Sequence, residues 1–151
     1  MRPRIALFDA ALGDGIESFA SLFAAGWTCM VVSPDNCDTL QSLPVIVPTT
    51  KGQSCCGSRY CIRDAVVSRL PDRAVVVAII LRPELQCLAE CADTIFACDA
   101  VARWCHQRSI PARGVKTIAG LRECVETYLQ KGIFSTRHRA QLYRQHLAEV
   151  E

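Results

Sequence analysis

Five apolar bursts divide the chain, at residues 4–8, 28–32, 44–47, 74–81 and 94–98. Each has the length of a strand, and turn or charged residues separate them. The run from Ala74 to Leu81 shows no polar alternation. Both of its faces are therefore expected to be buried, as at the centre of a parallel sheet. Helical periodicity fills most of the intervals. Residues 15–25 repeat Ile16, Phe19, Leu22 and Phe23 on one face, with Gly26 placed as a C-terminal stop. A short helix is the most that 38–42 allows. Residues 62–70 put Ala65, Val66 and Leu70 on one side, and 83–92 opens with a proline at its first helical position. Asp99 stands where it would cap a helix over 100–108, whose Val101, Trp104 and Cys105 share a face. Residues 110–115 read as a short edge strand, since Pro111 keeps them out of the middle of a sheet. Residues 117–131 form an amphipathic helix through Ile118, Leu121, Val125 and Leu129, stopped by Gly132, and 135–151 form a last helix.

Strands that alternate with helices predict a parallel sheet covered on both sides. The expected fold is α/β: a small three-layer, Rossmann-like or flavodoxin-like domain with about five mostly parallel strands and a C-terminal helical extension. The expected division is an α/β domain over 1–132 and a helix over 133–151. The rival reading runs one helix from 83 to 108, which would align Cys87, Cys91, Cys98 and Cys105 on one face. Thr94, Ile95 and Phe96 followed by Asp99 favour a strand and then a helix cap.

Composition narrows the class. Of the 151 residues, 50% are hydrophobic and 21% charged, an ordinary globular balance for one domain. A net charge of +2 gives no electrostatic footprint for nucleic acid. Asp9 interrupts the N-terminal apolar run, so no signal-like core is present, and no apolar run is long enough to cross a membrane. Ten cysteines are many. Several, such as Cys29, Cys98 and Cys124, lie inside apolar elements, where a thiol acts as a small buried hydrophobe. These features together predict a reduced, cytoplasmic protein without structural disulfides.

The densest chemistry is the stretch from Lys51 to Cys61, which holds Cys55, Cys56 and Cys61 between a strand and a helix. Thiolates are soft ligands for zinc or an iron–sulfur cluster, so these three are the candidate metal ligands. A fourth would come from Cys37, Cys87 or Cys91. Cys61 lies beside Arg59 and Arg63, which would raise its thiolate fraction, so a reactive thiol is a second reading. The third is that these are unreactive loop thiols. Gly52 and Gly57 in the same stretch have the spacing of a phosphate-binding loop. Ser58 and Arg59 stand where that motif has lysine and then serine or threonine, so anion binding is expected here rather than nucleotide hydrolysis.

A second candidate follows the first strand: Asp9, Gly13, Asp14 and Gly15, with Asp35 after the second strand. Strand, Gly-x-Gly, helix and strand give the outline of a Rossmann cofactor site. This stretch resembles the first motif of class I methyltransferases, with Asp35 two residues beyond the position of the expected acid. The resemblance covers about a fifth of the chain and implies a nucleotide or S-adenosylmethionine ligand. Residues 5–9 with these glycines also resemble the opening of aspartate/glutamate racemases, without that family's cysteine-asparagine-threonine motif. The bland alternative is that Gly13 and Gly15 only make a tight turn.

A doubly wound sheet would gather Asp9, Asp14, Lys51, Cys55, Cys56, Arg82 and Asp99 at one edge. The expected function is binding of a metal, a cluster or a small anionic ligand there, in a non-catalytic accessory or sensing role. An enzyme dependent on a thiol or a nucleotide-type cofactor is the alternative, and a structural subunit the third. Only three histidines are present, two of them in the tail, which leaves few bases to activate a nucleophile. The last helix carries Arg137, His138, Arg139, Arg144 and His146 around apolar Ala140, Tyr143, Leu147 and Val150. It is expected to pack on the domain, or to dock on a second copy or a protein partner. No membrane contact is expected.

Overall fold

Strand β4 (Val75–Ile80) is buried along its whole length, as the unbroken apolar run requires. It pairs in parallel with β1 (Arg4–Asp9) on one side and β5 (Thr94–Cys98) on the other. The computed structural model describes residues 2–23, 25–34, 43–47 and 62–150, the side chains of 146–150 excepted. Strands β2 (Trp27–Val32), β3 (Val45–Ile46) and β6 (Arg113–Val115) complete a six-stranded parallel sheet of order β3-β2-β1-β4-β5-β6. This is the Rossmann order rather than the flavodoxin order. The sixth strand is the residue 110–115 segment, reduced to three residues beyond Pro111 and placed at the edge.

Side-chain alternation divides the core in two. Ile5, Leu7, Val76, Ala78, Ile80, Ile95 and Ala97 point to one face of the sheet. Ala6, Phe8, Val77, Ile79 and Phe96 point to the other. On the first face lie α2 (Ile62–Val67), a 3-10 segment (Pro83–Glu90) and α3 (Asp99–Gln107). On the second lie α1 (Ile16–Ala20) and α4 (Ile118–Lys131). Each fully buried leucine, isoleucine or phenylalanine contributes ~1.5–3 kcal/mol, so these two clusters drive the fold. An aromatic ladder joins Phe8, Phe23, Trp27 and Phe134 on the second face, with ring centroids 5.1–5.5 Å apart.

Several elements differ from the sequence expectation. The helix over 15–25 is a 3-10 turn (Ala10–Gly15) followed by the five residues of α1. Gly13 sits at φ 58° and ψ −127°, a conformation closed to other residues, and it interrupts the turn. Beyond α1, i→i−3 bonds from Leu22 and Phe23 tighten the chain so that Phe23 reaches Phe8. Residues 83–90 are 3-10 rather than α-helical. Leu85, Leu88 and Cys91 recur every three residues and are all buried, which matches the 3-10 period. This segment and β5 replace the continuous helix of the rival reading. Helix α3 starts one residue earlier than expected, with Cys98 at its N-cap. Asp99 therefore occupies the first turn rather than capping it, where it still favours the dipole. Gly114 lets β6 approach α3: a Cβ there would lie 3.3 Å from both Ala102 Cβ and Asp99 Oδ1. Helix α4 runs as expected, capped by the Thr117 hydroxyl, which accepts from Gly120 N–H, and ended at Gly132.

The final helix α5 (His138–Val150) packs beside α2 and the 3-10 segment. Polar anchors hold it there. Arg144 is buried and donates to the carbonyls of Cys91 and Ala74. It also faces the Asp93 carboxylate at 3.5 Å. Asp93 accepts from Val76 N–H and Arg137 N–H, joining the start of β4 to the segment entering α5. Arg63 of α2 stacks over Tyr143 at 4.5 Å and pairs with Glu90 at 3.1 Å. Removing one partner of a buried ion pair costs several kcal/mol because the other charge stays behind. Arg144→Leu is therefore expected to lower stability by about 3 kcal/mol in urea unfolding, and to make residues 133–150 an early target of limited proteolysis.

Candidate functional site

The order of the strands reverses between β1 and β4. In a doubly wound sheet the crevice outside the carboxyl ends at that reversal is where ligands bind. β1 ends there at Asp9, whose side chain is completely buried. One carboxylate oxygen accepts from Leu81 N–H at 2.8 Å and Arg82 N–H at 2.9 Å. The other accepts from Ala11 N–H at 2.8 Å and from Arg82 Nε at 2.9 Å, with Arg82 Nη2 at 2.8 Å. Asp9 thus fastens the end of β1 to the end of β4 and caps the glycine turn that follows. Its lone pairs are committed to these donors, so its role in any ligand site is to position the turn and Arg82. The Arg82 side chain is 32% exposed, so a cation stands at the mouth of the crevice.

The other sequence candidates fall as follows. Gly13 and Asp14 are exposed on the turn above β1, and Gly15 is half-buried at its end. A Cβ at Gly15 would meet open space. Asp99 lies at the carboxyl end of β5, on the same edge as Asp9. Ser33, buried at the end of β2, donates its N–H to Ile46 O and helps set β3 in the sheet. The structure therefore brings Asp9, Arg82, Gly13, Asp14, Gly15 and Asp99 to one edge. Asp35, Lys51, Gly52, Cys55, Cys56, Gly57 and Cys61 lie outside the described residues. Among the described residues, no group of three or more His, Cys, Asp or Glu side chains is placed to hold a metal ion. Nor is any helix long and apolar enough to cross a membrane.

The described cysteines behave as packing residues. Cys29, Cys91, Cys98, Cys105 and Cys124 are free thiols, and Cys87 is buried in the core. Cys91 Sγ donates to Leu88 O, and Cys98 Sγ to Leu81 O. Burial pushes the Cys91 thiol from 9.0 up to about 12, against the pull of Arg144 and Arg63. Burial likewise pushes Cys105 to about 11, against Arg137 and Arg108. These thiols are protonated and poor nucleophiles at neutral pH.

Among the described residues, cavities open at the other end of the sheet. The one of about 500 Å³ beside Arg4, Trp27 and Phe134 lies at the start of β1 and β2. Another of about 430 Å³, beside Thr94, Arg113 and Tyr128, lies at the start of β5 and β6. A third is lined by Arg73 and Arg144. The fourth, about 260 Å³, is lined by three arginines, Arg108, Arg137 and Arg139. The sequence sets Arg137, Arg139 and Arg144 around the apolar positions of the last helix. Arg137, Ala140 and Arg144 follow i, i+3, i+7 spacing, the signal that two of the arginines share the inward stripe.

Three measurements check these assignments. Asp9→Ala strands the Leu81 and Arg82 amides and is expected to cost about 3 kcal/mol in chemical unfolding. Iodoacetamide at pH 8 should leave Cys91 and Cys105 unmodified in the native protein, read by peptide mass spectrometry. Their folded-state pKa values are raised, so the thiols hold protons that the unfolded chain releases. Stability is then fully present below pH 9 and is expected to fall as pH rises from about 9 to about 12. In comparisons with known proteins, no family model and no curated protein matches this chain.

Proposed function

We propose that this protein binds a small anionic ligand at the carboxyl edge of its sheet, over the junction of β1 and β4, in a non-catalytic accessory or sensing role in the cytoplasm. The observation that carries this reading is the reversal of strand order at that junction, with a glycine turn on one side and Arg82 on the other. The Asp9 network favours it. A turn whose first amide and whose neighbouring strand end are fixed by one buried carboxylate is preorganised and needs little ordering on binding. Arg82 supplies positive charge with part of its surface in water. A nucleotide-type ligand suits such a crevice. Cys55, Cys56 and Cys61 belong to the same reading as thiolate ligands for zinc or an iron–sulfur cluster, on the segment that leaves β3 and enters α2.

The test uses ADP as the nucleotide-type probe and follows the Gly13 and Gly15 amide signals by NMR. Saturable shifts of both signals are expected. Gly15→Asp places a carboxylate in open space at an ordinary φ of −73°. It should leave the unfolding midpoint unchanged and weaken ADP binding by about tenfold or more, the cost of a like charge against the ligand. Absence of a saturable shift, or a variant that binds as wild type does, removes this reading. Metal analysis and a visible spectrum of protein purified without oxygen test the thiolates. A metal bound by these thiolates should be lost in the Cys55→Ser, Cys56→Ser double variant while the fold survives.

A further inference from the structure

At the opposite edge of the sheet, the cavity of about 260 Å³ lies between the end of α3, the end of the 3-10 segment and the start of α5. Its lining is Glu90, Arg108, Ile110, Arg137, Arg139 and Tyr143. Three guanidinium groups around so small a space repel one another. Burial first, and behind it the charges of Arg139 and Arg144, hold Arg137 below its ordinary range, with Asp93 acting against them.

The acids near this cavity are already engaged. Glu90 pairs with Arg63 at 3.1 Å, and Asp93 takes Arg144 together with the amides of Val76 and Arg137. In this network the arginines at 63, 108, 137, 139 and 144 outnumber the acids at 64, 90 and 93.

The three lining arginines differ in what holds them. Arg137 is spent on structure: its Nη2 donates to Ala89 O at 2.8 Å and Ala92 O at 3.0 Å, closing the carbonyl end of the 3-10 segment. Arg139 uses one donor on Arg108 O. Arg108 sits over Trp104, its guanidinium carbon 4.0 Å from the ring centroid. Among the described residues its guanidinium has no carboxylate partner and no hydrogen-bond acceptor. A cation–π contact of this kind uses the face of the ring and leaves the N–H donors of the guanidinium available.

We propose that this arginine cavity binds the phosphate group of a small phosphomonoester, with Arg108 and Arg139 as its charged donors. The cavity is smaller than the ~300–1,000 Å³ of sites that enclose a drug-sized molecule, so it receives a group rather than a whole large ligand. A phosphomonoester carries about −1.5 to −2 charge at pH 7 with three acceptor oxygens, which matches the surplus of cations better than a single carboxylate does. Tyr143, on the same wall, sits beneath Arg63 and bounds the cavity.

Inorganic phosphate is the probe, and the indole N–H of Trp104 is the reporter, because Arg108 lies on that ring. Trp27 belongs to the aromatic ladder on the other face of the sheet and serves as the internal control. Phosphate is expected to shift the Trp104 signal saturably and leave Trp27 in place. Sodium chloride at equal ionic strength should not reproduce the effect. Arg108→Gln and Arg139→Gln should each weaken phosphate by about tenfold, the loss of one charge-assisted donor group. Both side chains are exposed, so circular dichroism should show an intact fold. Gly15→Asp should leave the Trp104 response unchanged, which separates this cavity from the carboxyl edge. A non-saturable shift, an equal shift in chloride, or wild-type affinity in both arginine variants overturns the proposal.

Discussion

A carboxylate with no exposure to water must find donors inside the protein, and Asp9 dictates much of the carboxyl edge for that reason. It sits at the end of the central strand β1, and every donor it uses comes from a part of the chain that must be placed correctly. Leu81 and Arg82 fix the exit of β4, Ala11 fixes the turn, and the Arg82 guanidinium supplies the counter-charge. The cost of burying a charge falls only when all of these are present together. Strand pairing, turn geometry and the position of Arg82 are therefore coupled, and the crevice at the strand reversal takes its shape from that coupling.

A second buried carboxylate, Asp93, plays the corresponding part at the amino edge. It holds Val76 at the start of β4 and receives Arg137 and Arg144 from the C-terminal segment. Among the described residues, the last helix is thereby attached by charge and hydrogen bonds. Ala140 is the small residue that lets it approach. With Arg137 closing the carbonyls of the 3-10 segment, the same anchoring crowds positive charge around one small cavity. The two edges differ in kind: one sets Arg82 beside a preorganised turn, and the other, among the described residues, concentrates several arginines with few acids.

The thiols show how burial decides chemistry. A chain with ten cysteines invites a reading of redox or metal function. Cys87, Cys91 and Cys105 instead fill space against the first face of the sheet, and burial holds Cys91 and Cys105 in the protonated form. The cysteines that carry the metal reading, Cys55, Cys56 and Cys61, are the ones drawn together by sequence in a single polar stretch rather than by an apolar element.

The sequence by itself determined the layered α/β architecture. An apolar run such as Val75–Ile80 is stable only with both faces covered, and the run's length and neighbours leave a parallel sheet as the economical solution. It also determined α4, because a helical period, a threonine cap and a terminal glycine all act within a few residues of one another. The sequence placed Asp9, Gly13, Gly15 and Arg82 near one edge for the same reason, since parallel strands end on the same side. Tertiary structure alone decided that Asp9 is consumed by Arg82 and two strand-end amides, that Arg137 closes the carbonyls at the end of residues 83–90, and that Cys91 O, Ala74 O and Asp93 receive Arg144. Those outcomes rest on partners 44–73 residues away in the chain, and a local pattern holds no information about which distant donor or carbonyl will be there to satisfy a buried charge.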